Sequence, residues 1–162
     1  MIRVGILTAS DKAHAGERED KSAEEIRRSL RGLPEAVVAK YQVVPDERKI
    51  IEETLRYWAD EDRLDLILTT GGTGLSPRDV TPEATSAVIE REVAGIAEAM
   101  REVGRQKNPR AILSRGISGT RGETLIINLP GSPRAVKESL EVVLPVLGHA
   151  IEILQARPTD HG

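Results

Sequence analysis

Apolar residues along the chain fall into two rhythms. Ile2 to Thr8 is a short apolar run with β-branched residues that ends in the polar cluster Thr8, Ser10 and Asp11, which predicts a buried strand. Ser22 stands three residues before Glu25, the spacing of a capping box, and predicts a helix to about Leu30. Val37 to Val44 predicts a second strand, stopped by Pro45. From Glu47, the residues Ile50, Ile51, Thr54, Leu55 and Trp58 recur on one helical face. Leu64 to Thr70 predicts a third strand running directly into Gly71-Gly72-Thr73-Gly74.

Thr81-Pro82-Glu83 supplies an N-cap, a first-turn proline and a first-turn acid. The stripe Val88, Ile89, Val93, Ile96, Ala97, Met100 and Val103 then predicts one long helix, with Gly95 inside it and Gly104 at its end. Ala111 to Ser114 is a short candidate strand, and the glycines at 116, 119 and 122 mark a turn-rich section. Leu125 to Leu129 predicts another strand. Ser132-Pro133 opens a last helix whose stripe runs from Val136 to Leu154, with a kink or two abutting helices at Pro145. Apolar strands alternating with helices imply an α/β fold: a three-layer αβα single domain with a mostly parallel central sheet covered on both faces. The residues after Gln155 read as a frayed end, placing the domain at 1–156 and a flexible tail at 157–162.

Composition narrows the chemistry. The 162 residues contain no Cys, which excludes thiolate nucleophiles, cysteine zinc sites and disulfides. With 23 Lys and Arg against 26 Asp and Glu, net charge is −3, and the aromatics are only Tyr41, Tyr57 and Trp58. Neither a cationic field nor a stacking platform for nucleic acid is expected. No apolar run reaches the roughly 18 residues of a membrane span, and MIRVGILTAS lacks the apolar stretch of a signal peptide. A cytoplasmic protein without membrane or nucleic-acid partners is expected.

Ligands of open α/β sheets bind outside the carboxyl ends of the strands. That rule selects Ser10-Asp11, Pro45-Asp46, Gly71 to Asp79, and Pro130 to Pro133. The glycine tetrapeptide allows close backbone approach to a phosphate or flat ring, and equally suits a tight turn. It matches neither common nucleotide signature. Asp46 and Asp79 are loop acids able to hold a hydrated Mg²⁺ against substrate phosphates; Asp46 also suits an N-cap and Asp79 a solvated turn. Arg78 and Arg115 are candidates to neutralise phosphate. Ser132 serves either as a helix cap or as a ligand contact. His14, His149 and His161 have no metal spacing, and no serine-hydrolase triad has support.

Taken in order, Thr8-Ala9-Ser10-Asp11-Lys12, Val44-Pro45-Asp46-Glu47, Leu68-Thr69-Thr70-Gly71-Gly72-Thr73-Gly74, Pro77 to Ala84, Leu113-Ser114-Arg115 and Asn128 to Pro133 resemble the motifs of the Mog/MoaB family of molybdenum-cofactor biosynthesis proteins. The resemblance covers about residues 2 to 154. It implies a molybdopterin-binding domain, forming a homotrimer, that adenylylates molybdopterin with Mg·ATP and hands its product to a molybdenum insertase. It places Asp46 and Asp79 in the catalytic and Mg²⁺-holding positions. It assigns Gly71, Gly72, Thr73, Gly74, Pro130, Gly131, Ser132 and Pro133 to pterin and nucleotide binding, with Ser10, Asp11, Ser114 and Arg115 beside them. The alternative within the family is a non-catalytic, MoaB-like pterin carrier. Two departures stand out: Ser22-Ala23 where many members read Ser-Gly, and Gly104 near a position where several carry serine.

Overall fold

The computed structural model describes residues 1–156; the tail expected at 157–162 lies outside them. Six strands form one sheet in the order β2-β1-β3-β6-β5-β4, comprising β1 (Ile2–Ala9), β2 (Ala36–Val44), β3 (Leu66–Thr70), β4 (Arg91–Glu92), β5 (Ser118–Arg121) and β6 (Thr124–Leu129). The first four in that order pair in parallel, while β5 and β4 extend the edge antiparallel. The helices are α1 (Asp11–His14), α2 (Lys21–Ser29), α3 (Arg48–Asp60), α4 (Thr81–Val88), α5 (Ala94–Lys107) and α6 (Pro133–Leu154).

Strand alternation sorts the core into two faces. Ile2, Val4, Ile6, Leu66, Leu68, Leu125, Ile127 and Leu129 pack under α2, α5 and α6. Leu7, Ala9, Ile67 and Ile126 pack against Ile51, Leu55 and Trp58 of α3 and Ala84 and Val88 of α4. Both faces of β1, β3 and β6 are therefore dry, which explains why these segments read as apolar runs, whereas the edge strand β2 is mostly exposed. Asn128 is buried on the α4 side together with the polar Thr69 and Thr85. Its amide nitrogen donates to Thr69 Oγ1 at 3.0 Å and Thr85 Oγ1 at 2.9 Å, pinning β3, β6 and α4 together.

The structure corrects several sequence expectations. The long helix expected from Thr81 to Gly104 is two helices, because Glu90 N donates to Thr120 O and Val93 N to Ser118 O, drawing β4 onto the sheet. The second helix continues past Gly104 to Lys107. The turn-rich glycine section contains strand β5, while Ala111 to Ser114 belongs to a 3₁₀ turn over Pro109–Leu113 and its cap, not to a strand. The α2 N-cap is Asp20, whose carboxylate accepts from Ala23 N; Ser22 instead donates to Gly131 O at 2.6 Å. Thr81 is the first residue of α4 and caps nothing, and α6 is one continuous helix through Pro145 and not two abutting ones.

Candidate functional site

The parallel strands β1, β3 and β6 end at one rim, and close backbone contact there requires glycine. Gly71 has φ +90°, and a Cβ on it would lie 2.4 Å from Ala9 O. Gly72 has φ +70°, and a Cβ on it would lie 2.3 Å from Thr81 Oγ1. A side chain at either position would face both the left-handed backbone penalty and a collision. Thr70 Oγ1 donates to Pro130 O at 2.5 Å and Ser22 Oγ to Gly131 O, so the β6 loop is tied to the β3 end and to α2.

The loops after β1 and β2 form a reciprocal clasp. Asp11 N donates to Asp46 Oδ2 and Asp46 N to Asp11 Oδ1, each at 2.9 Å. Asp46 therefore does not cap α3. Arg78 closes the clasp from outside, donating to both Asp11 carboxylate oxygens and to Glu47 at 3.0–3.1 Å. Those contacts hold the Asp11 carboxyl below its ordinary pKa. Asp46 moves the other way: burial raises its pKa, and the neighbouring charges of Asp11 and Asp79 add to the rise. Asp46 Oδ1 is buried without a hydrogen-bond partner.

Asp79 is positioned by a local turn, with Ser76 N donating to its Oδ2 at 3.0 Å and its own N donating to Ser76 O. Arg115 braces this loop from beneath. Its guanidinium donates to Gly74 O and Asp79 O, each at 2.8 Å, and to Glu83, while its backbone N donates to Thr73 O. That engagement keeps the Glu83 carboxyl below its usual range.

A cleft of about 880 Å³ opens over this rim. Of the residues singled out from sequence, it brings together Ser10, Asp46, Gly71, Gly72, Asp79, Gly131, Ser132 and Pro133. A second hollow of about 330 Å³, between α5 and the start of α6, contains Ser114 and Pro130 and shares Ser132 with the cleft. Thr73, Gly74 and Arg115 lie outside both, as does Asp11, which is hydrogen-bonded to Asp46. Ser10 caps α1 and Ser132 caps α6, each accepting a backbone N–H three residues on. Sequence reasoning passed over Arg18, Asp20 and Lys21, which also line the cleft, together with Thr8 of the first motif and Ser22 of the expected capping box. Asp20 Oδ2 there accepts from Thr8 Oγ1 at 2.6 Å and Tyr41 OH at 2.5 Å. The available signal was position, since Arg18 to Ser22 follows the first strand.

The arrangement suits an anion with a cation. The N-termini of α2 and α6 open onto the cleft beside the Gly71-Gly72 backbone and the cations Arg18 and Lys21. Asp46 and Asp79 supply hard oxygen donors, and the orphaned Asp46 Oδ1 is an acceptor in need of a partner. Among the described residues no three His, Asp or Glu side chains converge as a metal cage. A magnesium ion held by one or two carboxylates plus substrate phosphates needs no such cage, so the donor set fits.

Comparison with known proteins places the chain in a family. A family model described as a probable molybdopterin binding domain matches residues 5–149. The molybdopterin adenylyltransferase of Helicobacter pylori (strain J99) is 42% identical over 154 residues, covering 94% of this chain and 88% of its own. That of Escherichia coli (strain K12) is 42% identical over 151 residues, covering 93% of this chain and 77% of its own. The crystal structure of the molybdopterin biosynthesis enzyme MoaB from Thermus thermophilus aligns with a TM-score of 0.92 at 58% identity, over 98% of this chain and 99% of that one. The chain thus belongs to the molybdopterin-binding-domain family of molybdenum-cofactor biosynthesis proteins.

Proposed function

We propose that this protein is a molybdopterin adenylyltransferase. An oxygen of the terminal phosphate of molybdopterin bonds to the α-phosphorus of ATP, the bond from that phosphorus to the β-phosphate oxygen breaks, and pyrophosphate leaves. The observation that carries the reading is the convergence of Asp46 and Asp79, from loops 33 residues apart, on one cleft floored by Gly71-Gly72. The attacking phosphate is already an anion, so no protein nucleophile is required; the protein's work is positioning and charge stabilisation.

The large cleft suits the triphosphate, with Lys21, Arg18, the glycine backbone and two helix N-termini facing its charge. The adjoining hollow, lined by Ala97, Met100, Ala111, Ser114 and Asn128, suits the pterin ring. Ser132 borders both, so a pterin in one and a nucleotide in the other would meet at the start of α6. Asp46 and Asp79 would hold Mg²⁺. When bound, the ion offsets charge on the triphosphate and on the departing pyrophosphate. Arg78 and Arg115 act on the protein itself, fixing the loops that carry those acids.

No helix among the described residues is long and apolar enough to cross a membrane. A homotrimer acting in the cytoplasm, with product passed to a molybdenum insertase, completes the proposal, and sedimentation of the purified protein tests the assembly. The deciding experiment for the reaction measures pyrophosphate release from ATP with and without molybdopterin. Release that requires molybdopterin and falls by orders of magnitude in Asp79→Ala, with the variant still folded and still binding molybdopterin, supports transfer. Tight pterin binding without release supports a carrier.

A further inference from the structure

Four buried side-chain atoms among the described residues have no hydrogen-bond partner: Asp46 Oδ1, Asp62 Oδ2, Thr81 Oγ1 and Gln155 Oε1. Asp62 has the Lys40 ammonium at 3.6 Å and Gln155 bonds to Asp65, both at the opposite rim of the sheet. The other two meet at the cleft. A Cβ on Gly72 would lie 2.3 Å from Thr81 Oγ1 and 3.3 Å from Asp46 Oδ1, so both oxygens border the space this glycine keeps clear. Thr81 is fully buried, and its backbone N–H is already bonded to Gly72 O at 3.1 Å.

The fold alone gives this hydroxyl nothing to do. As the first residue of α4, Thr81 has no helical carbonyl four residues back to bond, and it caps no helix. Valine has the same branched shape without the orphaned donor, and burying an unpaired polar group costs stability. A side chain kept at such a cost beside an equally unpaired carboxylate oxygen is explained by the partner it faces. We propose that Thr81 is a positioning residue for Asp46: its hydroxyl is the donor reserved for Asp46 Oδ1, and it orients that carboxylate once the cleft is loaded. The assignment rests on the adenylyl-transfer reading for what fills the cleft, and on geometry alone for the pairing of the two residues.

The test compares the wild type with Thr81→Val, which removes the hydroxyl at constant shape, and Thr81→Ser, which retains it. Binding of Mn²⁺ in the presence of α,β-methylene-ATP is followed by electron paramagnetic resonance, and the ligand-free proteins are melted in parallel. Thr81→Val is expected to melt at or above the wild-type temperature yet bind Mn²⁺ about tenfold more weakly, as loss of a hydrogen bond to a charged group predicts. Thr81→Ser is expected to stay within about twofold of the wild type. Wild-type Mn²⁺ binding by the valine variant overturns the proposal, as does equal loss in both variants or a valine variant that melts well below the wild type. Molybdopterin-dependent pyrophosphate release by the wild type is a separate readout. Its absence removes the transfer reading while the manganese comparison still decides the role of Thr81.

Discussion

Ionised Asp46 sits in a place that disfavours its charge. Its pKa is raised from 3.8 chiefly by burial, so the folded protein holds the Asp46 proton more tightly than the unfolded chain does. The ionised form therefore costs stability at neutral pH, and the cost fades as pH falls through the folded-state pKa toward the unfolded value. Asp46→Asn should accordingly melt above the wild type at pH 7, with the gap closing under acid, while losing pyrophosphate release. Thermal melts across pH check the sign. Asp11 behaves oppositely: its lowered pKa contributes stability above the unfolded value that is lost on acidification. A purely structural glycine offers a contrast at the same scale. A Cβ on Gly5 would lie 2.6 Å from Leu64 Cδ1 and 2.7 Å from the Trp58 ring, so Gly5→Ala should cost about 1–3 kcal/mol by denaturant melting, with the cleft chemistry intact.

Among the elements, what could be read from sequence follows burial except at the edge strand β2, which is mostly exposed. Strands β1, β2, β3 and β6 and helices α3 and α6 were legible because local pattern and tertiary role agree. The break between α4 and α5 was not, since Val88, Ile89, Val93 and Ile96 keep helical spacing straight through it. Pairing of Glu90 and Val93 with β5 overrides that local pattern, and Gly119 allows it because any Cβ there would meet Arg91 O at 2.5 Å. Pro145 makes a testable case. It sits on the exposed side of α6, removing one helical hydrogen bond without interrupting the helix. Pro145→Ala should stabilise the protein by about 1–2 kcal/mol, read as a higher denaturant midpoint at unchanged slope.

Across the whole molecule, the topology delivers the site. Parallel strands β2, β1, β3 and β6 end together, so four loops scattered along the chain share one rim. The rule about strand ends made Asp46, Asp79, Gly71 and Ser132 visible from sequence. The same rule could not separate residues that face the ligand from those that hold the loops. Arg115 reads as a phosphate ligand until its donors are found on Gly74 O, Asp79 O and Glu83. Arg18 to Ser22 carries no periodicity, and only the folded chain turns it into the cleft wall. Because the four loops are cross-bonded, binding α,β-methylene-ATP with Mg²⁺ should slow amide exchange in 10–22, 45–47, 71–79 and 130–133 together. Protection limited to one loop would count against a shared site.

The two arginines that flank Asp79 differ in how they meet solvent. Arg78, with a half-exposed side chain, grips Asp11 and Glu47 through charge at the surface, whereas Arg115 is the less exposed and bonds mainly to backbone carbonyls. Dissolved ions weaken the first kind of grip far more than the second. Concentrated sodium chloride should therefore slacken the alignment of the two carboxylates well before it loosens the polypeptide, giving turnover that declines with ionic strength at a melting temperature that barely moves.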